Sequence, residues 1–140
     1  VRIGEWRDIM GQINKIEIIT RPEKLNDLKE AMYAIRVTGM TVMQVYGCGL
    51  SHGYTEIYRG QEMSINLLPK IKVEIVVSEI PVEKVIEAAE KACRTGHIGD
   101  GKIFVTTVDN AIRIRTGESG VDAIRDRNDE TDIVNSIIKE

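Results

Sequence analysis

A chain of 140 residues with 42% apolar and 29% charged residues has the makeup of one soluble globular domain. Its net charge of −3 gives no electrostatic reason to expect a nucleic acid or an anionic membrane as partner. No stretch approaches the roughly 18–20 apolar residues of a membrane span, and the first residues lack a signal-peptide core. Cys48 and Cys93 are isolated, so no disulfide framework or zinc spacing is present and a reduced cytoplasmic setting is expected.

KIEIIT (15–20) reads as a strand stopped by Arg21-Pro22. From Glu23 to Arg36, Leu25, Leu28, Met32 and Ile35 recur at helical spacing. Thr38-Gly39 is a turn, and MTVMQVY (40–46) alternates as a strand does. The next segment, GCGLSHGYTEIYRGQEMSINLLP (47–69), contains four glycines and has no sustained period. A loop of that length in a compact domain is more often functional than idle. IKVEIVV (71–77) is the third strand. A second helix follows Pro81, with Val82, Val85, Ile86, Ala89 and Cys93 on its buried face. KIFVTTV (102–108) is the fourth strand, and AIRIRTG (111–117) reads as a short extended piece. The order β-α-β-loop-β-α-β is the α+β, ferredoxin-like βαββαβ plan. Such a sheet has helices on one face and leaves the other to find a partner, so oligomerisation is expected. RDRNDETD (125–132) reads as a charged linker, and IVNSIIKE places Ile133, Val134, Ile137 and Ile138 on one side of a short helix.

The chemistry concentrates in RTGHIGDGKIF (94–104). Gly96, Gly101 and Lys102 match the G-x-x-x-x-G-K spacing of a P-loop. Ile103 stands where a P-loop has Ser or Thr, and a strand follows where a P-loop has a helix, so that fold is excluded. Gly96, Gly99 and Gly101 still allow an anion-binding nest of backbone N–H groups, with Lys102 adding a charge. Arg113 and Arg115, two apart in an extended chain, would present a guanidinium fork on one face. The same pattern equally describes a solvated edge with a glycine turn. Catalytic signals are poor. His52 and His97 have no metal-ligand spacing, and no nucleophile motif is present. Base stacking on the sheet would fall to Phe104 alone, which argues against RNA binding.

TGMTV (38–42), YRGQE (58–62), LPKIKVEIVV (68–77), RTGHIGDGKIFV (94–105) and RIRTGE (113–118), in this order and spacing, resemble the PII signal-transduction proteins of the GlnB/GlnK type. The resemblance covers residues 14–124 and leaves 1–13, with Trp6, as an N-terminal extension and 125–140 as a linker and amphipathic tail. It implies a homotrimer of ferredoxin-like subunits that binds ATP or ADP in the clefts between them, Mg²⁺ accompanying ATP. Gly99, Asp100, Gly101 and Lys102 would wrap the phosphates, and Arg113 and Arg115 would reach them from the neighbouring subunit. Thr41, Gly49, Glu74 and Val76 would fall at the adenosine end. Residues 49–66 would be the T-loop, offering Tyr54, Glu56, Tyr58, Arg59 and Met63 to a target. The target would be a membrane transporter such as an ammonium channel, or an enzyme of nitrogen metabolism.

The departures from that family are specific. Met63 stands at the position of the uridylylated Tyr, which excludes that modification there, and Gln61 replaces a Ser that some members phosphorylate. The family's Arg-Gln pair at the loop entrance is Leu50-Ser51. That Gln holds Mg²⁺ and 2-oxoglutarate, and Ser51 has a shorter reach, so weakened 2-oxoglutarate sensing is expected although Lys70, the other matching contact, is present. Losing one phosphate arginine at position 50 should also narrow any preference for ATP over ADP. A slow ATPase and a trimer with a target outside nitrogen metabolism are the alternatives the resemblance leaves open.

Overall fold

A computed structural model describes residues 12–49, 57–58, 61–62 and 67–125. β1 (Asn14–Thr20) leads through a single 3₁₀ turn, Pro22–Lys24, into α1 (Leu25–Ala34). β2 (Thr41–Cys48) follows, then two-residue strands β3 (Ile57–Tyr58) and β4 (Gln61–Glu62), which pair with each other. β5 (Leu67–Val77), α2 (Val82–Cys93), β6 (Lys102–Thr107) and a one-turn α3 (Val121–Ile124) complete the chain order. The main sheet has order β2-β5-β1-β6 and is antiparallel throughout, the ferredoxin-like βαββαβ topology.

Alternation builds the core. Ile16, Ile18 and Thr20 of β1 and Ile71, Val73, Ile75 and Val77 of β5 all point to one face and are buried. Leu28 and Met32 of α1 and Val82, Val85, Ala89 and Cys93 of α2 cover them. The opposite face carries charge. Lys72 sits 2.7 Å from Glu17 and 3.8 Å from Glu74, and Lys15 lies 3.9 Å from Glu74. The hydrogen bond and charge of Glu17 raise the Lys72 pKa above its ordinary 10.5.

Three expectations about the elements are corrected. The first helix is shorter than 23–36: Pro22 opens a 3₁₀ turn at one end, and Arg36 adopts φ 69° at the other. The N–H groups of Arg36 and Val37 bond the carbonyls of Tyr33 and Met32, the paired bonds of a Schellman stop. The segment 47–69 is not loop throughout. β2 and β5 run on together as a two-stranded ribbon, from Val45↔Lys70 to Cys48↔Leu67, beyond the last pair of β1 with β5 at Thr20↔Ile71. Pro69 is tolerated there because β5 has lost its second neighbour and needs fewer ladder donors. Finally, AIRIRTG is not extended throughout. Ile112 makes one bridge to Ser119, and residues 114–116 turn, with Gly117 N–H donating to the Arg113 carbonyl at 2.7 Å.

Candidate functional site

The glycine loop joins the end of α2 to β6, and its shape follows from where its polar groups go. The Asp100 carboxylate folds back onto the start of the loop. It accepts the backbone N–H groups of Thr95 at 2.8 Å and Gly96 at 2.9 Å, and the Thr95 hydroxyl. The Arg21 Nε lies 3.4 Å from its other side. The Thr95 hydroxyl and amide, joined by the Gly96 amide and Arg21, hold the carboxyl well below the usual carboxylate range.

The carbonyls of the loop are turned onto the ends of β1 and β5. Arg21 Nη2 donates to the Ile98 carbonyl at 2.9 Å, Lys70 Nζ to that of Gly99, and the Thr20 hydroxyl to that of Asp100 at 3.1 Å. A trans peptide points its N–H opposite to its C=O, and no peptide in the described chain is cis. The N–H groups of Gly99, Asp100 and Gly101 are therefore turned off the protein body, and none bonds a backbone acceptor among the described residues. An extended chain alternates its peptides. Gly99 at φ 103° and Gly101 at φ 100° permit three successive ones to align. At Gly101 the need is absolute, since a Cβ would lie 1.7 Å from the Ile19 carbonyl oxygen. Consecutive unpaired N–H groups beside the exposed Lys102 are the kind of arrangement that can accept an anion.

A second cluster lies on the far edge of the sheet. Thr41, Glu74, Val76 and Arg113 line a cleft of about 730 Å³, together with Arg36 and Glu79. Arg113 enters it because the 114–116 turn releases its side chain toward the C-terminal segment. There its Nη2 donates to the carbonyls of Ala123 at 3.3 Å and Arg125 at 2.8 Å, and Arg125 in turn reaches Glu79 at 3.0 Å. Arg115 lies exposed in the turn, so the guanidinium fork expected of an extended chain is not formed.

The residues anticipated from sequence thus fall into two groups. Lys70, Gly99, Asp100, Gly101 and Lys102 gather at the ribbon end of the sheet, where Gly49 also follows β2. Thr41, Glu74, Val76 and Arg113 gather in the cleft. Thr41 and Lys102 stand on opposite edge strands, and those strands lie three strand spacings or about 14 Å apart. Leu50, Ser51, Tyr54, Glu56, Arg59 and Met63 lie outside the described residues, as do Trp6 and the tail from residue 126, while Tyr58 lies in β3. Sequence reasoning missed Arg21, Thr20 and Thr95. The first two meet Asp100 across about 80 positions of chain and leave no local signal. A Thr five residues before an Asp was the one legible hint for the third. No group of three or more metal-ligating side chains occurs among the described residues.

The family model for Nitrogen regulatory protein P-II matches residues 13–118. The chain is 50% identical over 112 residues to the Nitrogen regulatory protein P-II of Azospirillum brasilense, which spans 80% of this chain and all of that protein. Among solved structures it is similar to Bacillus subtilis GlnK, with 47% identity, a TM-score of 0.70 and coverage of 79% of this chain and 97% of that one. The B. subtilis GlnK-ATP complex matches with a TM-score of 0.69 and 43% identity, covering 79% of this chain and 96% of that one.

Proposed function

Because the chain belongs to the Nitrogen regulatory protein P-II family, whose members are regulators rather than enzymes, we propose that it is a PII-type switch reading ATP and ADP in clefts between its own subunits. The observation that carries this reading is the alignment of three loop peptides, which leaves the N–H groups of Gly99, Asp100 and Gly101 free for phosphate oxygens. The similar GlnK structure solved with ATP supports an adenine nucleotide as the anion. Mg²⁺ would arrive with ATP, its charge shared with the phosphates, since the described residues supply no metal-ligating cluster.

The split between the two clusters supports assembly. A cleft on one sheet edge and a phosphate loop on the other would be joined by a head-to-tail contact, and such contacts close into rings where the rotation between copies allows it. In the homotrimer we propose, the cleft of Thr41, Glu74 and Val76 takes the adenosine, Gly99–Lys102 of the adjacent copy takes the phosphates, and Arg113 and Arg115 close over them. Ile112 and Ile114, 64% and 100% exposed, are an apolar pair on the segment that would cross to that copy. Its groove between α2 and β6, about 440 Å³ and lined by Ile86, Ala89, Ile103 and Val105, can cover them.

Residues 49–66, carried on the β2–β5 ribbon, would form the target-docking loop in the cytoplasm, with a membrane transporter or a nitrogen-metabolism enzyme as the target. Lys70 links the ribbon to the phosphate loop through the Gly99 carbonyl, so nucleotide state can bias the loop above it. With Ser51 in place of a longer amide, 2-oxoglutarate adds little. Isothermal titration of MgATP and ADP into nucleotide-free protein, with and without 2-oxoglutarate, tests the reading. Similar affinities for both nucleotides and no response to 2-oxoglutarate are expected. A large tightening of ATP by 2-oxoglutarate overturns the account of Ser51, and no binding at millimolar nucleotide overturns the switch.

A further inference from the structure

We propose that Arg21, Thr95 and the Asp100 carboxylate form a brace that positions the phosphate-binding peptides, with the carboxylate itself kept off the ligand. The proposal rests on the nucleotide reading of the glycine loop and assigns its parts. Asp100 contributes twice. Its backbone N–H is one of the groups turned toward the anion, and its side chain is turned the other way, into a ring closed by the amides of Thr95 and Gly96 and the Thr95 hydroxyl. A carboxylate beside a phosphate site would ordinarily repel the ligand. Here every acceptor position in use faces a donor of the loop or Arg21, so the charge is compensated within the protein.

Arg21 extends the brace to the next peptide. One guanidinium nitrogen approaches Asp100 Oδ1 and another holds the Ile98 carbonyl at 2.9 Å, which aims the Gly99 N–H outward. The planar guanidinium spans both acceptors at once, which an ammonium does not. Thr95 connects the ring to the far side of the loop, because its hydroxyl also accepts the His97 N–H at 3.2 Å. Loss of any member leaves Gly99 and Gly101, both at positive φ, with fewer constraints on peptides that glycine would otherwise let rotate. Pre-ordered donors bind an anion without reorganising, so the brace acts on phosphate affinity and leaves the adenosine cleft untouched.

Titration calorimetry on the full chain with ATP, inorganic tripolyphosphate and adenosine separates these effects, using Thr95→Val, Thr95→Ser, Arg21→Gln and Asp100→Asn. Thr95→Val, Arg21→Gln and Asp100→Asn are expected to weaken ATP and tripolyphosphate about tenfold, with adenosine unchanged. Thr95→Ser, which keeps the hydroxyl, is expected to stay within about twofold of the parent; each factor of ten corresponds to ~1.4 kcal/mol. Amide exchange of residues 95–101 should quicken in Thr95→Val and not in Thr95→Ser, with the core strands unaffected. If the parent binds ATP and the variants match it, the brace alone is overturned. Equal losses of ATP and adenosine reduce the network to general folding support and overturn it too. If the parent binds neither ATP nor tripolyphosphate, the nucleotide reading fails and the brace with it.

Discussion

Arg36 closes α1 in the left-handed region, at φ 69°, where a side chain costs about 1–2 kcal/mol and glycine costs nothing sterically. Arg36 lines the cleft that also holds Thr41, Glu74 and Arg113. Arg36→Gly should therefore stabilise the fold by about 0.5–1 kcal/mol, the strain relieved less the extra entropy of glycine in the unfolded chain. A rise of a few degrees in thermal midpoint checks it, while an unchanged or lower midpoint would mean that the Arg36 side chain offsets its own strain. Asp100 supplies a second residue-scale test. Its folded pKa is depressed below the ordinary 3.8, so the stability it contributes is fully present above that value and is lost as pH falls through the folded pKa. Observed by carbon NMR, the Asp100 carboxyl should remain ionised at pH 3.8, where an unperturbed one is half protonated. Titration near 3.8 would show that the ring of donors around it is open in solution.

At the scale of elements, the Arg113 side chain anchors the C-terminal turn alongside the Arg125–Glu79 pair. α3 spans only Val121–Ile124, too short to persist alone, and Arg113 holds the carbonyls of Ala123 and Arg125. Arg113→Met should free this segment, raising amide exchange over residues 121–125 about tenfold while that of β1 and β5 is unchanged. If exchange there does not move, the Arg125–Glu79 pair anchors the segment by itself. In the proposed trimer the same arginine would serve phosphate, so nucleotide and the C-terminal segment would compete for one guanidinium. The β2–β5 ribbon is the other element with a consequence. Its outer half has one strand neighbour per strand and exposes Tyr46, Leu67 and Leu68, so it is the part of the sheet with least core support.

For the whole molecule, the sheet carries the logic of assembly. One face is buried beneath two helices, and the other presents Lys15, Glu17, Lys72 and Glu74 in a paired charge network between two unclosed edges. Exposed β edges invite pairing or capping by another chain. Ile114→Asp puts a charge where the proposed ring would need apolar cover and should then reduce the oligomer to smaller species in sedimentation, with ATP affinity falling by at least tenfold. Because Ile114 is fully exposed in the single chain, its replacement should leave the far-ultraviolet circular dichroism unchanged. An intact trimer in that variant would remove residues 112–114 from the subunit contact.

The sequence by itself determined the ferredoxin-like order, because the alternation in Lys15–Thr20 and Ile71–Val77 and the helical stripes ending at Met32 and Cys93 are local patterns set by burial of one face. It also determined the family, through motifs that are contiguous in the chain, and it placed Gly99 and Gly101 where only glycine fits. What it carried only weakly were features that depend on which strands become neighbours. The four glycines and missing period of 47–69 argued for a loop, yet β2 and β5 outrun β1 there, and AIRIRTG argued for an extended piece whose one bridge among the described residues is Ile112 to Ser119. The contacts of Thr20 and Arg21 with Asp100 could come only from tertiary structure, since donor and acceptor meet across some 80 residues. So could the separation of the anticipated site residues onto two edges of one sheet. Periodicity records how a segment meets the core, but strand order alone decides which distant side chains share a site.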